Sequence, residues 1–374
     1  MNGQVYFYED YLALREVINK CRRILTLSFI SHNMFQKYGK FVVIGFLSFV
    51  TLFNALSMSQ SKENSLNICM NILVLSGFIQ VLSKVYAIVT NEENLNNILE
   101  WIKDLHTILI CDLVKHAAEN HLGRFIRLVK NISLILVVLY FATNLSVSLY
   151  LIATDTRVFE FSLIVTDKVP YIIIHISQFL FVTMPSHLLT LSDLVLIHVS
   201  LYFLASLNIL LDSIKNLKKL SANRKKDGSI RYLQIYHLEI IRNLQLFNRT
   251  LNYVLTAQFS TIFFWFIVMF YMIGIFKDML FIYPVLTAVF FQLSTFCFFG
   301  ELIFGKTESV STQLYLTNWY EFSREEKMIV SMMMMMSHKS FTFKAAGMYD
   351  VNLMMLVQIL KIAFSYCTIL FSLT

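Results

Sequence analysis

Seven apolar stretches, each long enough to cross a lipid bilayer, constrain this chain more than any other feature. They lie at roughly 38–58, 66–90, 128–153, 170–205, 253–276, 281–304 and 350–373, and a helix needs roughly 20 residues to span the hydrocarbon. Inside lipid every backbone N–H and C=O must be paired within the chain, so stretches of this kind become helices. Only 3 prolines and 10 glycines occur in 374 residues, which suits long unbroken ones. Charged residues make up 15% of the chain, against about a quarter in a soluble domain. The expected fold class is an all-α membrane protein with seven transmembrane helices.

The fourth stretch exceeds one crossing, and Met184-Pro185-Ser186 offers a place to divide it. The basic residues decide the matter. With seven spans and the N-terminus inside, segments 1–37, 91–127, 206–252 and 305–344 face inward and hold 23 Lys and Arg, while the outer segments hold 4: Lys62, Arg157, Lys168 and Lys277. That bias obeys the positive-inside rule. Dividing the fourth span would move the nine basic residues of 206–252 outside. One long fourth helix is therefore expected, with a cytoplasmic N-terminus and an extracellular C-terminus. The chain then divides into an N-terminal cytoplasmic helical segment (1–37), spans one to four (38–205), a cytoplasmic loop with helix extensions (206–252), spans five and six (253–304), a cytoplasmic anchor (305–349) and the last span (350–374).

The cytoplasmic parts carry their own helical signal. Leu95, Ile98, Leu99, Ile102, Leu105 and Leu109 recur at helical spacing, as do Leu233, Tyr236, Ile240, Leu244, Phe247, Leu251 and Val254, which run into the fifth span. Both stripes need apolar partners, expected to be each other and neighbouring subunits. The Met332–Met336 run reads as adaptable apolar packing, and 222–228 as a basic exposed turn.

Several motifs carry no chemistry in this setting. Residues 300–307, GELIFGKT, match a P-loop by letter, but no strand precedes them and the middle residues are not a glycine-rich phosphate cradle. Gly300 and Gly305 are expected to let helices approach or end. The sequons at Asn131, Asn144 and Asn248 fall within or at the edge of a span or on the cytoplasmic side. Five cysteines, at 21, 69, 111, 297 and 367, show neither metal nor disulfide spacing. Cys111, Asp112, His116 and His121 lie close together, but a solvated helix face is the expected reading; no metal or other cofactor is expected. Asp193, His187 and His198 are the hints of intramembrane catalysis, and no enzymatic role is expected from them.

The stretch from Cys297 resembles the C-terminal signature of insect odorant receptors. It runs Cys297-Phe-Phe-Gly300-Glu301, then Glu308-Ser309, Tyr315-Leu-Thr-Asn-Trp319-Tyr320 and Phe343-Lys344-Ala-Ala-Gly347, with Lys361, Ser365 and a terminal leucine following. The resemblance implies a subunit of an odorant-gated cation channel in the plasma membrane of an olfactory sensory neuron. It implies assembly as a tetramer with a shared co-receptor, contact with membrane lipid, and no nucleic-acid partner. The short second cytoplasmic loop places the chain with the odorant-binding subunits. A gustatory receptor-type channel and a G-protein-coupled receptor are the alternatives. The charge bias opposes the second, whose N-terminus is outside.

Within that frame the odorant pocket is expected among spans two, three, four and six. Candidate ligand-binding residues are Asn71 and Phe78; Tyr140, Thr143, Asn144, Val147 and Ser148; Tyr171, His175 and Gln178; and Tyr283, Thr287 and Phe290. They mix aromatic, small polar and apolar groups as small-molecule pockets do. On the last span, Gln358, Ile362, Ser365, Ile369 and Ser372 stay within about 40° of one line and form a candidate pore stripe. Ile369 and Leu373 fall where the family's gate residues sit. Lys361 is expected off that axis or snorkelling inward. Trp319 and Tyr320 are the candidate subunit-interface residues.

Overall fold

Each apolar stretch forms a helix, and the amphipathic flanks extend several of them well past a bilayer's thickness. The computed structural model describes residues 8–30, 33–60, 65–107, 112–154, 171–220, 228–276 and 279–373. Its elements are α1 (Tyr8–Leu25), α2 (Asn33–Gln60), α3 (Ser65–Thr90), α4 (Glu92–Thr107), α5 (Asp112–Ala153), α6 (Tyr171–Leu220), α7 (Ser229–Ile275) and α8 (Ile282–Tyr315). There follow a 3-10 turn (Trp319–Glu321), α9 (Arg324–Ser337), a hairpin of β1 (Lys344–Ala345) and β2 (Tyr349–Asp350), and α10 (Leu353–Leu373). Seven of these helices, α2, α3, α5, α6, α7, α8 and α10, are long and apolar enough to cross a membrane.

The fourth stretch is one helix, α6, of 50 residues with Pro185 inside it. Pro185 lacks an N–H and so removes one rung of the helical ladder, yet the helix continues. α6 packs against α1, α3, α5, α7 and α8, and 94% of its apolar 18-residue window within Thr183–Leu217 is buried. Four of its serine hydroxyls are satisfied locally: Ser192, Ser200, Ser206 and Ser213 each donate to the carbonyl four residues back, at 2.7–2.9 Å. Small side chains whose hydroxyls need no outside partner let other helices approach closely in an apolar medium.

At the end of the bundle that carries α1 and α4, both amphipathic stripes are covered inside the subunit. Leu95, Ile98, Leu99, Ile102 and Leu105 on α4, and Leu233, Tyr236, Ile240, Leu244, Phe247, Leu251 and Val254 on α7, are all buried. Tyr11 of α1 donates to the Leu99 carbonyl at 3.1 Å. Arg22 reaches Asn96 at 2.6 Å and Glu92 at 3.0 Å. Burial lowers the Arg22 pKa and the Glu92 carboxylate pulls it back up, so the guanidinium stays charged in its clamp. The expectation that these stripes face neighbouring subunits is corrected: the period identifies an apolar face but not which surface covers it. Exposed there are, among others, Ile235 and Leu238 on α7, Met328, Met332 and Met335 on α9, and Tyr315, Leu316 and Tyr320. Of the methionine run, Met333 is buried and Met335 is 79% exposed.

The glycines of GELIFGKT sit in the middle of α8. A Cβ at Gly300 would lie 2.0 Å from the Val351 carbonyl oxygen, so this glycine admits the backbone that leads into α10. Gly305 has nothing within 4 Å of that position and serves no close approach. The hairpin before α10 is tied to one stripe of α7. Backbone N–H groups of Lys344, Ala346 and Gly347 donate to Asn248 Oδ1 (3.0 Å), Thr256 Oγ1 (2.6 Å) and Asn252 Oδ1 (2.8 Å). Ala346 (φ 54) and Gly347 (φ 71) make the left-handed turn, which accounts for the glycine there.

Candidate functional site

Helices α3, α5, α6, α7 and α8 line a cavity of about 160 Å³ in the half of the bundle farther from α1 and α4. α3 contributes Leu73, Gly77, Phe78 and Val81; α5 contributes Tyr140, Thr143, Asn144, Val147 and Leu151. Pro185, Ser186 and Leu189 come from α6, Trp265 and Met269 from α7, and Val285, Ala288, Val289 and Gln292 from α8. The wall is thus mainly apolar with a few polar groups. Gly77 is where Trp265 fits: a Cβ there would meet its ring at 3.3 Å. The indole N–H of Trp265 donates to Ser76 Oγ. A second hollow of about 330 Å³ lies between α2, α3 and α6, shares Phe78 and Pro185 with the first, and has only apolar side chains.

Behind the cavity lies a buried ion pair. Lys84 of α3 and Asp193 of α6 are joined Nζ to Oδ1, with side chains 0% and 1% exposed. The other carboxylate oxygen accepts from Tyr140 Oη at 3.0 Å and from Gln292 Nε2 at 2.8 Å. The Lys84 ammonium also lies 5.7 Å from the centre of the Phe296 ring. Four helices therefore meet on one carboxylate, and two of its partners, Tyr140 and Gln292, form part of the cavity wall. Charges in an apolar interior persist when paired and fully hydrogen-bonded.

Of the sequence candidates, the structure brings Phe78, Tyr140, Thr143, Asn144 and Val147 into this one cavity. Ser148 is buried on the next turn of α5 and Asn71 is half-buried on α3, neither on the wall. Tyr283, Thr287 and Phe290 lie on the outer surface of α8, with Tyr283 52% and Phe290 45% exposed. The cavity face of that helix is the Val285–Ala288–Val289–Gln292 side instead. The miss has a physical cause: lipid and protein interior are both apolar, so a stripe on a spanning helix carries no sign for inside. Tyr171, His175 and Gln178 fall on α6, but their side chains lie outside the described residues, as does Leu373. The α7 contribution and the Lys84–Asp193 pair went unread in the sequence, although opposite charges within two apolar spans were a signal for the pair.

The catalytic hints disperse. Asp193 is held by Lys84, His198 Nε2 lies 3.1 Å from Ser133 Oγ, and His187 is exposed. His121 pairs with Asp212 and His116 with Asn120, while Cys111 lies outside the described residues. Among the described residues no three His, Cys, Asp or Glu side chains gather as a metal site.

The last helix is the reverse of α6. Gln358, Ile362, Ser365, Ile369, Ser372 and Lys361 are all exposed on α10. The helix is fixed on its other side to α7 through ring contacts of Tyr366 with Phe263, Phe364 with Phe270 and Phe371 with Tyr271, at 5.9–6.2 Å. Trp319 is half-buried against the subunit's own core, and Tyr320 is 62% exposed.

Comparison with known proteins supplies the context. Two solved structures share the fold: the insect olfactory receptor OR5 from Machilis hrabei in complex with eugenol, at 16% identity, and a second structure of that receptor, at 15%. Each has a TM-score of 0.79 and an alignment covering 98% of this chain and 100% of the other. A search of curated proteins found no match. At such identities the structures speak for the fold alone. A profile of the 7tm Odorant receptor family, however, matches residues 64–364, and the chain belongs to that family.

Proposed function

We propose that this chain is the ligand-binding subunit of an odorant-gated cation channel, and that the cavity among α3, α5, α6, α7 and α8 is its odorant site. The observation that carries this reading is the cavity itself: lined by five helices, mainly apolar, with a few polar groups held in place. Its volume is close to the roughly 150 Å³ of an engineered cavity that binds benzene, so the ligand is a small molecule of about one ring. The eugenol held by the related receptor, a single substituted ring, is of that class. The family's plan and the positive-inside bias support a cytoplasmic N-terminus, which sets the cavity in the outer half of the membrane. On this reading the chain sits in the plasma membrane of a sensory neuron and assembles with a co-receptor. The exposed α10 stripe supports a conduction path between subunits, and Tyr320 with the exposed α9 methionines supports contacts on the cytoplasmic side.

Val147→Trp tests the site. The added rings fill the cavity and are expected to raise the odorant concentration for half-maximal response at least about thirtyfold, well beyond the roughly tenfold that follows from 1.4 kcal/mol, with surface expression retained. An unchanged dose–response curve places the site elsewhere. An N-terminal epitope that antibodies reach without permeabilisation would overturn the orientation.

A further inference from the structure

The hydrogen-bond donors on the cavity wall are almost all committed to the protein. Tyr140 Oη and Gln292 Nε2 donate to Asp193, Thr143 Oγ1 to the Tyr140 carbonyl at 2.8 Å, and the Trp265 indole to Ser76. Besides the half-buried Ser186, Asn144 is the exception. It lines the cavity, its side chain is over nine-tenths buried at 8% exposure, and its Nδ2 has no hydrogen-bond partner among the described residues. A buried amide N–H left unpaired is costly, and more so where water is excluded. The amide turns about its last bond between two broad positions, so its NH2 can meet a group in the cavity without moving the helix.

We propose that Asn144 is the specificity-determining residue of this cavity, its carboxamide N–H donating to a single oxygen on an otherwise apolar ligand. The substrate class is a one-ring ketone, aldehyde, ether or alcohol rather than a hydrocarbon. The Lys84–Asp193 pair takes part by keeping Tyr140 and Gln292 turned onto the carboxylate, so that they do not compete as donors. The inference rests on the cavity being the ligand site and sharpens it. A purely apolar cavity would favour the hydrocarbon, because an oxygen that leaves water without a partner is penalised; a preference for the oxygenated member of a matched pair reports the donor.

The test is binding to the purified full-length chain in lipid nanodiscs, read as ligand-induced thermal stabilisation. The probes are three isosteric pairs: acetophenone with α-methylstyrene, benzaldehyde with styrene, and anisole with ethylbenzene. The wild-type chain is expected to bind each oxygenated member about tenfold more tightly, which is about 1.4 kcal/mol. Asn144→Leu should bring each ratio to within about twofold, by the loss of one hydrogen bond, with the hydrocarbons still bound. Asn144→Ala, which adds no bulk, should do the same and serves if the leucine variant does not fold. A ratio that survives in either folded variant overturns the proposal, as does a wild-type chain that shows no preference or binds none of the oxygenated members. If Val147→Trp abolishes binding while the Asn144 variants keep the ratio, the cavity stands and the Asn144 assignment falls. If binding survives Val147→Trp, the cavity itself is not the site.

Discussion

α6 and α10 are equally at home in lipid by composition and opposite in placement. Their apolar windows have mean hydropathies of 2.2 and 1.9, yet 94% of the first is buried within the subunit and 11% of the second. The difference lies in what each carries on its surface. α6 is set with small hydroxyl residues bonded to their own helix and with Asp193, whose charge has a partner on a neighbouring helix. α10 presents large apolar side chains around most of its circumference and touches the bundle mainly along the aromatic seam with α7. In water an exposed apolar face of that size would mark an interaction surface. In a membrane, lipid already satisfies it. What lifts α10 above a lipid-facing helix is the polar set Gln358, Ser365 and Ser372 on its free side.

The comparison can be broken hardest at the centre of α6. Asp193→Ala or Lys84→Ala leaves one charge buried and unpaired, a change that costs about 3–5 kcal/mol in buried pairs. Each single variant should lose most of its folded protein, read as thermal unfolding in detergent and as surface expression. The double variant Lys84→Met with Asp193→Leu should recover most of that loss. It should not recover all of it, because Tyr140 and Gln292 are left without their acceptor, at about 1–3 kcal/mol for each unsatisfied group. Equal stability of the single and double variants would mean that the charges contribute nothing as a pair.

The junction between the two regimes is the smaller test. At Gly300 an added methyl would fall 2.0 Å from the Val351 carbonyl oxygen, and that atom is backbone that cannot rotate away. Gly300→Ala should cost about 1–3 kcal/mol as an overpacked site and weaken the hold on the start of α10. Gly305→Ala, in the same helix with nothing within 4 Å, should instead gain about 0.5–1 kcal/mol from helix propensity. Opposite signs at these two glycines on thermal unfolding would confirm that only one of them is a packing contact.

How far the sequence revealed all this follows the same division. Seven helices, the single long α6 and the buried stripes of α4 and α7 were legible, because length and periodicity in polar surroundings are strong signals. The α5 wall of the cavity was legible as well, since Tyr140, Thr143, Asn144 and Val147 recur at helical spacing. On α8 the same reasoning chose Tyr283, Thr287 and Phe290, which face outward. No contrast between water and core exists inside a bilayer to orient a helix, so rotation about the helix axis is decided by partners. The true α8 partner, Gln292, is recognisable only once Asp193 is known to stand opposite. Trp265 was missed for a similar reason, its place being set by a glycine on α3.

The smallest expected effect on stability falls on the free face of α10, and there it separates structure from function. Ile369 is 51% exposed and Ser372 is exposed, with its hydroxyl bonded to the Ile369 carbonyl at 2.7 Å. Substitution at such positions changes stability by about 0.5 kcal/mol or less, so Ile369→Cys and Ser372→Cys should unfold with the wild-type chain. If this face lines a conduction path narrowed by apolar residues, a charged thiol reagent applied from outside should block most of the odorant-evoked current at both positions. Lys361→Cys, about 80° from Ile369 around the helix and about 16 Å from Ser372 along it, should be spared. Among the described residues background reaction is low, because Cys21, Cys69, Cys297 and Cys367 are buried and burial pushes the Cys21 thiol up to about 11, far from the thiolate that reacts. Wild-type stability with no change in block, permeability or leak at either cysteine would show that α10 faces only lipid, and the contrast with α6 would then be one of packing alone.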